Sequence, residues 1–216
     1  MALDFYHGHG SPYSWRVWLA LEHKAIAYNL KVLSFANNET RTAEFIAINP
    51  RHHVPTIVDD GHALWESTVI LEYLDERFSS GQKLYPGDVR ERARIRRLAR
   101  EAEEYLGLEG IDPITTEYFD KAGAAPDLEK SEKAKQRVKE EFEYFAGELR
   151  GPYLAGSSIT AADLVLYPWL GYVKRITFRK PETKLLEVVP PAIDAWGKRI
   201  EALAYFDKTY PPHWRA

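Results

Sequence analysis

The strongest constraint on this 216-residue chain is a change of pattern near residue 80. Before it, short apolar runs alternate with helix-like segments. Ala2–His7 reads as a buried strand, Tyr13–Lys24 as a helix and Ala27–Leu33 as a second strand. Arg41–Ile48 reads as a short helix that stops before Asn49-Pro50, since a residue preceding proline is driven out of the helical region. Thr56–Val58 and Ala63–Trp65 flank Asp59-Asp60-Gly61, whose Asp-Gly pair signals a hairpin. Ser67–Phe78 follows, with Val69, Ile70, Tyr73 and Leu74 at helical spacing. The order is βαβ-α-ββα. A strand–helix–strand crossover implies parallel pairing, and the closing hairpin implies antiparallel pairing.

Ser79-Ser80-Gly81 and Pro86-Gly87 break this pattern and mark a linker. Beyond it the sequence reads as helical. Ile95, Leu98, Ala99, Ala102 and Leu106 fit one helical face, and Asp127–Leu149, Thr160–Lys174 and Ala192–Ala204 suggest three further helices. The expected fold is therefore α/β plus all-α: residues 1–80 form a small mixed domain and residues 88–216 an all-helical one.

Composition narrows the chemistry. The chain has no cysteine, which removes disulfides, thiolate-held metals and catalysis by a protein thiol. Any sulfur chemistry must come from a ligand. Lys and Arg total 29 against 32 Asp and Glu, so no net charge draws the chain to nucleic acid or an anionic membrane. Arg90, Arg92, Arg94, Arg96, Arg97 and Arg100 form a basic run, but Glu91, Glu101, Glu103 and Glu104 accompany it, which favours a solvated or subunit-facing helix. No apolar run approaches the ~20 residues of a membrane span, and Met1–Tyr6 does not resemble a secretion signal, so a cytoplasmic location is expected. His7 with His9, or His52 with His53, completes no recognisable ligand spacing, so no metal is expected.

Three short stretches carry chemistry. In Ser11-Pro12-Tyr13-Ser14-Trp15-Arg16-Val17, serine then proline is a helix-start signature. Ser11 either only caps the helix or also donates to an anion held at the helix N-terminus. In Asn49-Pro50-Arg51-His52-His53-Val54-Pro55-Thr56, Pro55 either opens a strand or follows a cis bond that turns the Val54 main chain toward a ligand. In Trp65-Glu66-Ser67-Thr68, Ser67 either caps a helix or offers its hydroxyl and N–H to a carboxylate, with Glu66 placed to meet an ammonium group.

Taken together and in this order, these stretches resemble the glutathione transferase family, in its serine-type members, with a thioredoxin-like N-terminal domain. The resemblance extends through the helical half at Ser158-Ile159-Thr160-Ala161-Ala162-Asp163, a capping box with Ile159 and Leu164 placed as a hydrophobic staple. It implies that Ser11 donates to the thiolate of glutathione, with Ser14 and then Tyr6 as alternatives. It implies that Val54 pairs with the peptide beside Pro55, that Glu66 and Ser67 hold the γ-glutamyl end, and that His53 and Arg41 meet the glycyl end. Glutathione then serves as a co-substrate, with no tightly bound cofactor, and its thiolate attacks a small apolar electrophile.

That electrophile is expected in a cleft between the domains, with Tyr13, Tyr105, Tyr118, Phe119, Trp169 and Tyr172 as candidate walls. A homodimer is implied as well. Glutathione-dependent reduction of disulfides or peroxides stays open. So does a maleylacetoacetate-like isomerase role, although that branch carries Ser-Cys where this chain has Pro12-Tyr13. A non-catalytic binding or regulatory module on the same fold is the reading from another class.

Overall fold

The computed structural model describes residues 3–121 and 124–215. Ala2, expected at the start of the first strand, lies outside the described residues. Two compact units form: Met1–Pro86 with Ala204–Ala216, and Gly87–Leu203.

The first unit is a four-stranded sheet with helices. The strands are β1 (Leu3–His7), β2 (Tyr28–Val32), β3 (Thr56–Asp59) and β4 (His62–Trp65), in the order β2-β1-β3-β4. β1 and β2 run parallel, joined by helix α1 (Pro12–His23), whose crossover length allows that pairing. β3 runs antiparallel to both β1 and β4. Asp60 (φ 48°) and Gly61 (φ 84°) make the tight turn that the Asp-Gly pair predicts. Helix α2 (Ala43–Ile48) is capped by Thr42, whose hydroxyl accepts from the Phe45 N–H. A 3₁₀ turn over Glu39–Arg41 precedes it, so the helix starts two residues later than the sequence suggests. Helix α3 (Ser67–Arg77) packs beside α1.

Leu3, Phe5, Trp15, Val17, Leu19, Ile57, Ile70 and Leu74 form the core of this unit. A buried ion pair closes it. Lys24 Nζ lies 2.9 Å from Asp75 Oδ1 and also donates to the Gln82 carbonyl, while Asp75 accepts from the N–H groups of Leu84 and Tyr85. Residues read from sequence as a loose linker are thus fastened to α1 and α3. The C-terminal stretch, assigned from sequence to the helical domain, packs here instead. Phe206, Tyr210 and Trp214 surround the buried Trp15 ring with centroids 5.5–6.0 Å away, and the Trp15 indole N–H donates to Thr209.

The second unit is helical. α4 (Val89–Glu101) opens with a capping box between Asp88 and Glu91. It continues as π-helical turns over Ala102–Ile111, then α5 (Asp112–Thr115) and a further π-helical turn over Thr116–Asp120. α6 (Leu128–Glu148), α7 (Ala161–Arg179) and α8 (Pro191–Glu201) complete the bundle, followed in the first unit by the single-turn α9 (Phe206–Thr209). α7 is buried along most of its length and carries Pro168 inside it.

The expected capping box is present. Buried Asp163 accepts from the Thr160 N–H and hydroxyl, the Leu154 N–H and the Trp196 indole. Much of the arginine run is neutralised locally: Arg94 and Arg97 pair with Glu148, Arg97 also with Glu101, and Arg100 with Glu104. Among the described residues no helix is long and apolar enough to cross a membrane.

Candidate functional site

Five element ends converge in the first unit. Tyr6 pairs with Thr56 and Thr56 with Trp65. The end of β1, the start of β3 and the end of β4 therefore lie side by side. Helices α1 and α3 begin at that same edge, so Ser11, Val54-Pro55 and Glu66-Ser67 share it.

Two glycines shape the approach to α1. A Cβ on Gly8 would collide with Phe35 and Val54, and Gly10 holds φ 90° beside the His213 ring. Ser11 then caps the helix. Its backbone is extended (φ −78°, ψ 118°), its Oγ accepts from the Ser14 N–H at 3.2 Å, and Pro12 fills the first helical position. The Ser11 hydroxyl hydrogen has no acceptor among the described residues. The helix N-terminus adds partial positive charge at the same point.

The two alternatives to Ser11 are placed differently. Ser14 is fully buried and hydrogen-bonded to His7 Nδ1 at 2.8 Å, with the Gly8 N–H directed at its Oγ at 3.4 Å. Tyr6 faces away from the Phe5 side of β1, and its ring packs 5.5 Å from Phe45. Burial and Asp4 raise its phenol pKa, which favours the neutral form.

Asn49 builds the next piece, a role that sequence reading missed. It is fully buried. Its side-chain NH₂ donates to the His53 carbonyl and to Thr56 Oγ1, both at 2.9 Å, and its Oδ1 accepts from the Arg51 N–H. This clamps residues 49–56 into one shape. The Val54-Pro55 bond is cis. The Val54 N–H and carbonyl make no hydrogen bond among the described residues, although the side chain is buried. They can pair with an extended peptide.

Glu66 holds φ 71°, a left-handed-side conformation that costs a non-glycine residue energy, and its carboxylate is exposed. Ser67 next to it is buried, and its Oγ accepts from Arg16 Nη1 at 3.3 Å. Arg16 is itself fully buried and stacks 4.8 Å from the Tyr13 ring. A guanidinium beneath the N-terminus of α3 adds to its attraction for a carboxylate. The sequence offered Arg16 only as part of a motif. An arginine inside an otherwise apolar helix run was the available signal for its buried role.

Arg41 and His53 are exposed, and Arg41 forms no ion pair among the described residues. Among the described residues no hydrogen bond or ion pair ties either to the serine end of the site. Among the aromatic candidates in the second unit, Phe119 and Tyr172 share Arg179 as a neighbour. Tyr105 stacks on Arg137 (5.1 Å), Phe119 on Arg179 (5.0 Å), and Tyr118 lines a small cavity with Ile114 and Leu128. Tyr172 is largely buried, which raises its phenol pKa. Trp169 is 1% exposed and packs in the interior over Gly107. Tyr13, in the first unit, is half-buried at the start of α1. Among the described residues no group of three or more potential ligands is placed to hold a metal ion.

Comparison with known proteins points the same way. Residues 10–77 match the glutathione S-transferase N-terminal domain, and residues 113–204 match the glutathione S-transferase C-terminal domain. The chain is 30% identical to glutathione S-transferase A of Pleuronectes platessa, over 96% of this chain and 90% of that protein. The crystal structure of a glutathione S-transferase from the Antarctic clam Laternula elliptica superposes with a TM-score of 0.78 at 26% identity, covering 100% of this chain and 94% of that one. Glutathione transferase Omega 3C from Trametes versicolor shares the fold, with a TM-score of 0.83 at 24% identity over 98% and 90% of the two chains. With its sheet order, its helical second unit and both domain matches in agreement, the chain belongs to the glutathione S-transferase family.

Proposed function

We propose that this protein binds glutathione at the shared edge of the first unit and ionises its thiol beside Ser11, for attack on a small apolar electrophile. The observation that carries this reading is the Ser11 hydroxyl, held at a helix N-terminus with its hydrogen uncommitted. A free thiol has a pKa of about 8.5, and lowering it by two units needs about 2.7 kcal/mol. One charge-assisted hydrogen bond, worth about 1.5–3 kcal/mol, and a helix terminus, worth about 0.3–1 kcal/mol, are of that size.

The other contacts follow the ligand. Val54 pairs with the cysteinyl main chain, Ser67 and the α3 N-terminus receive the γ-glutamyl carboxylate, and exposed Glu66 meets its ammonium group. Arg41 and His53 are the proposed contacts of the glycyl carboxylate. Tyr13, at the first turn of α1, is the wall residue nearest Ser11 in sequence and is assigned to the electrophile. The thiolate, not the thiol, is the nucleophile, and binding both reactants together removes much of the entropic barrier. The working form is proposed to be a cytoplasmic homodimer, which light scattering at micromolar concentration checks.

Calorimetric titration with glutathione tests the reading first, and absence of binding overturns it. An activity screen against an aryl halide, an epoxide, a peroxide and a mixed disulfide then identifies the reaction. Conjugation of the first two is expected.

A further inference from the structure

The function above uses Ser11 and leaves a buried histidine unexplained. His7 is the third inward-facing residue of β1, where the strand's alternation calls for an apolar side chain, and it is only 1% exposed. Both of its ring nitrogens are engaged: Nδ1 with Ser14 Oγ at 2.8 Å, and Nε2 with His9 Nδ1 at 3.1 Å. Its ring lies 4.6 Å from Trp18 and 4.8 Å from His9.

The direction of this chain of hydrogen bonds follows from proton counting. The Gly8 N–H already points at Ser14 Oγ, and Ser14 is fully buried. If His7 Nδ1–H also donated to Ser14, the serine hydrogen would have no acceptor among the described residues. The arrangement that leaves no buried donor unpaired runs the other way. Ser14 O–H donates to His7 Nδ1, and His7 Nε2–H donates to His9 Nδ1.

We propose that His7 and His9 are positioning residues that decide which serine meets the thiol: they commit the Ser14 hydroxyl hydrogen to His7 and leave Ser11 as the donor. The proposal rests on the glutathione reading for its consequence, but not for its geometry. The groups facing the pair are Ser14 and Trp18 from α1, Phe5 from β1 and His213 from the C-terminal stretch. Neither imidazole is paired with a carboxylate among the described residues. Burial and the neighbouring His9 hold the His7 pKa down to about 3, and burial and His213 lower that of His9. Both rings are thus neutral near pH 7, as the chain requires.

Two experiments test it. Nitrogen-15 NMR of the ligand-free protein near neutral pH reads the tautomers directly. His7 is expected with its proton on Nε2, and a proton on Nδ1 overturns the proposal. This readout needs no glutathione, so it stands or falls separately from the glutathione reading.

The second experiment is kinetic. Ser11→Ala is made in the wild-type and His9→Leu backgrounds, the latter lacking the acceptor for His7. The fold-loss in kcat/KM caused by Ser11→Ala is expected to be at least ten times smaller in His9→Leu, because the freed Ser14 hydroxyl substitutes. His9→Gln, whose amide oxygen accepts from His7, is expected to restore the wild-type loss. Equal losses in all three backgrounds overturn the proposal.

Discussion

Single residues at the edge of the sheet divide the labour between fold and chemistry. Ser11→Ala removes the proposed donor to the thiol and costs the helix its cap. The expected result is a ten- to hundredfold fall in kcat/KM, read by steady-state kinetics, at a stability cost of about 1 kcal/mol. Ser14→Ala leaves the Gly8 N–H and His7 Nδ1 without a partner. It is expected to act mainly on stability, by about 1–3 kcal/mol in urea unfolding. His7 adds a pH dependence. Its folded pKa, about 3, lies below the unfolded value of about 6.5, so the unfolded chain binds the extra proton in the window between them. Stability is full above about pH 6.5 and falls as pH drops toward 3. Between pH 6.5 and 5 this one residue accounts for a loss of about 2 kcal/mol. Unfolding at the two pH values checks the loss, and His7→Leu is expected to flatten it. The cap was legible because Ser11 and Pro12 act locally. His7 was not, because an inward imidazole is acceptable only once Ser14 and His9 close around it, and strand alternation does not report such partners.

At the scale of elements, most boundaries were legible within two residues, since caps, prolines and the Asp-Gly turn are local signals. α7 runs five residues beyond its expected end at Lys174, to Arg179, because the rest of the unit buries its face through Val173 and Ile176. The π-helical turns after Glu101 had no sequence signal, since the apolar spacing through Leu106 fits an α-helix equally well. Two elements carry predictions. Asn49 clamps the loop that presents Val54, so Asn49→Ala is expected to weaken glutathione binding about tenfold by calorimetry while leaving β3 in place. Asp163 satisfies four donors in the interior of the second unit, among them the Trp196 indole. Asp163→Ala strands them and is expected to cost about 3 kcal/mol or more in chemical unfolding.

The whole molecule links the chain's two ends through the first unit. The residues after Leu203 wrap Trp15, one helical turn from Ser11, so the C-terminal stretch belongs to the fold of the candidate site. The sequence reading included it in the helical domain because nothing local distinguishes a tail that returns. Trp214→Ala is expected to destabilise the first unit by about 3 kcal/mol in urea unfolding. The absence of cysteine gives the central claim its sharpest test, because any thiolate absorbance in the complex must come from the ligand. The direct measurement is ultraviolet difference spectroscopy of bound glutathione across pH, in the wild type and Ser11→Ala. The account predicts a thiolate midpoint about two pH units below the free thiol's ~8.5 in the wild type, displaced upward in Ser11→Ala. A midpoint equal to that of free glutathione, or one unchanged by the substitution, would contradict it.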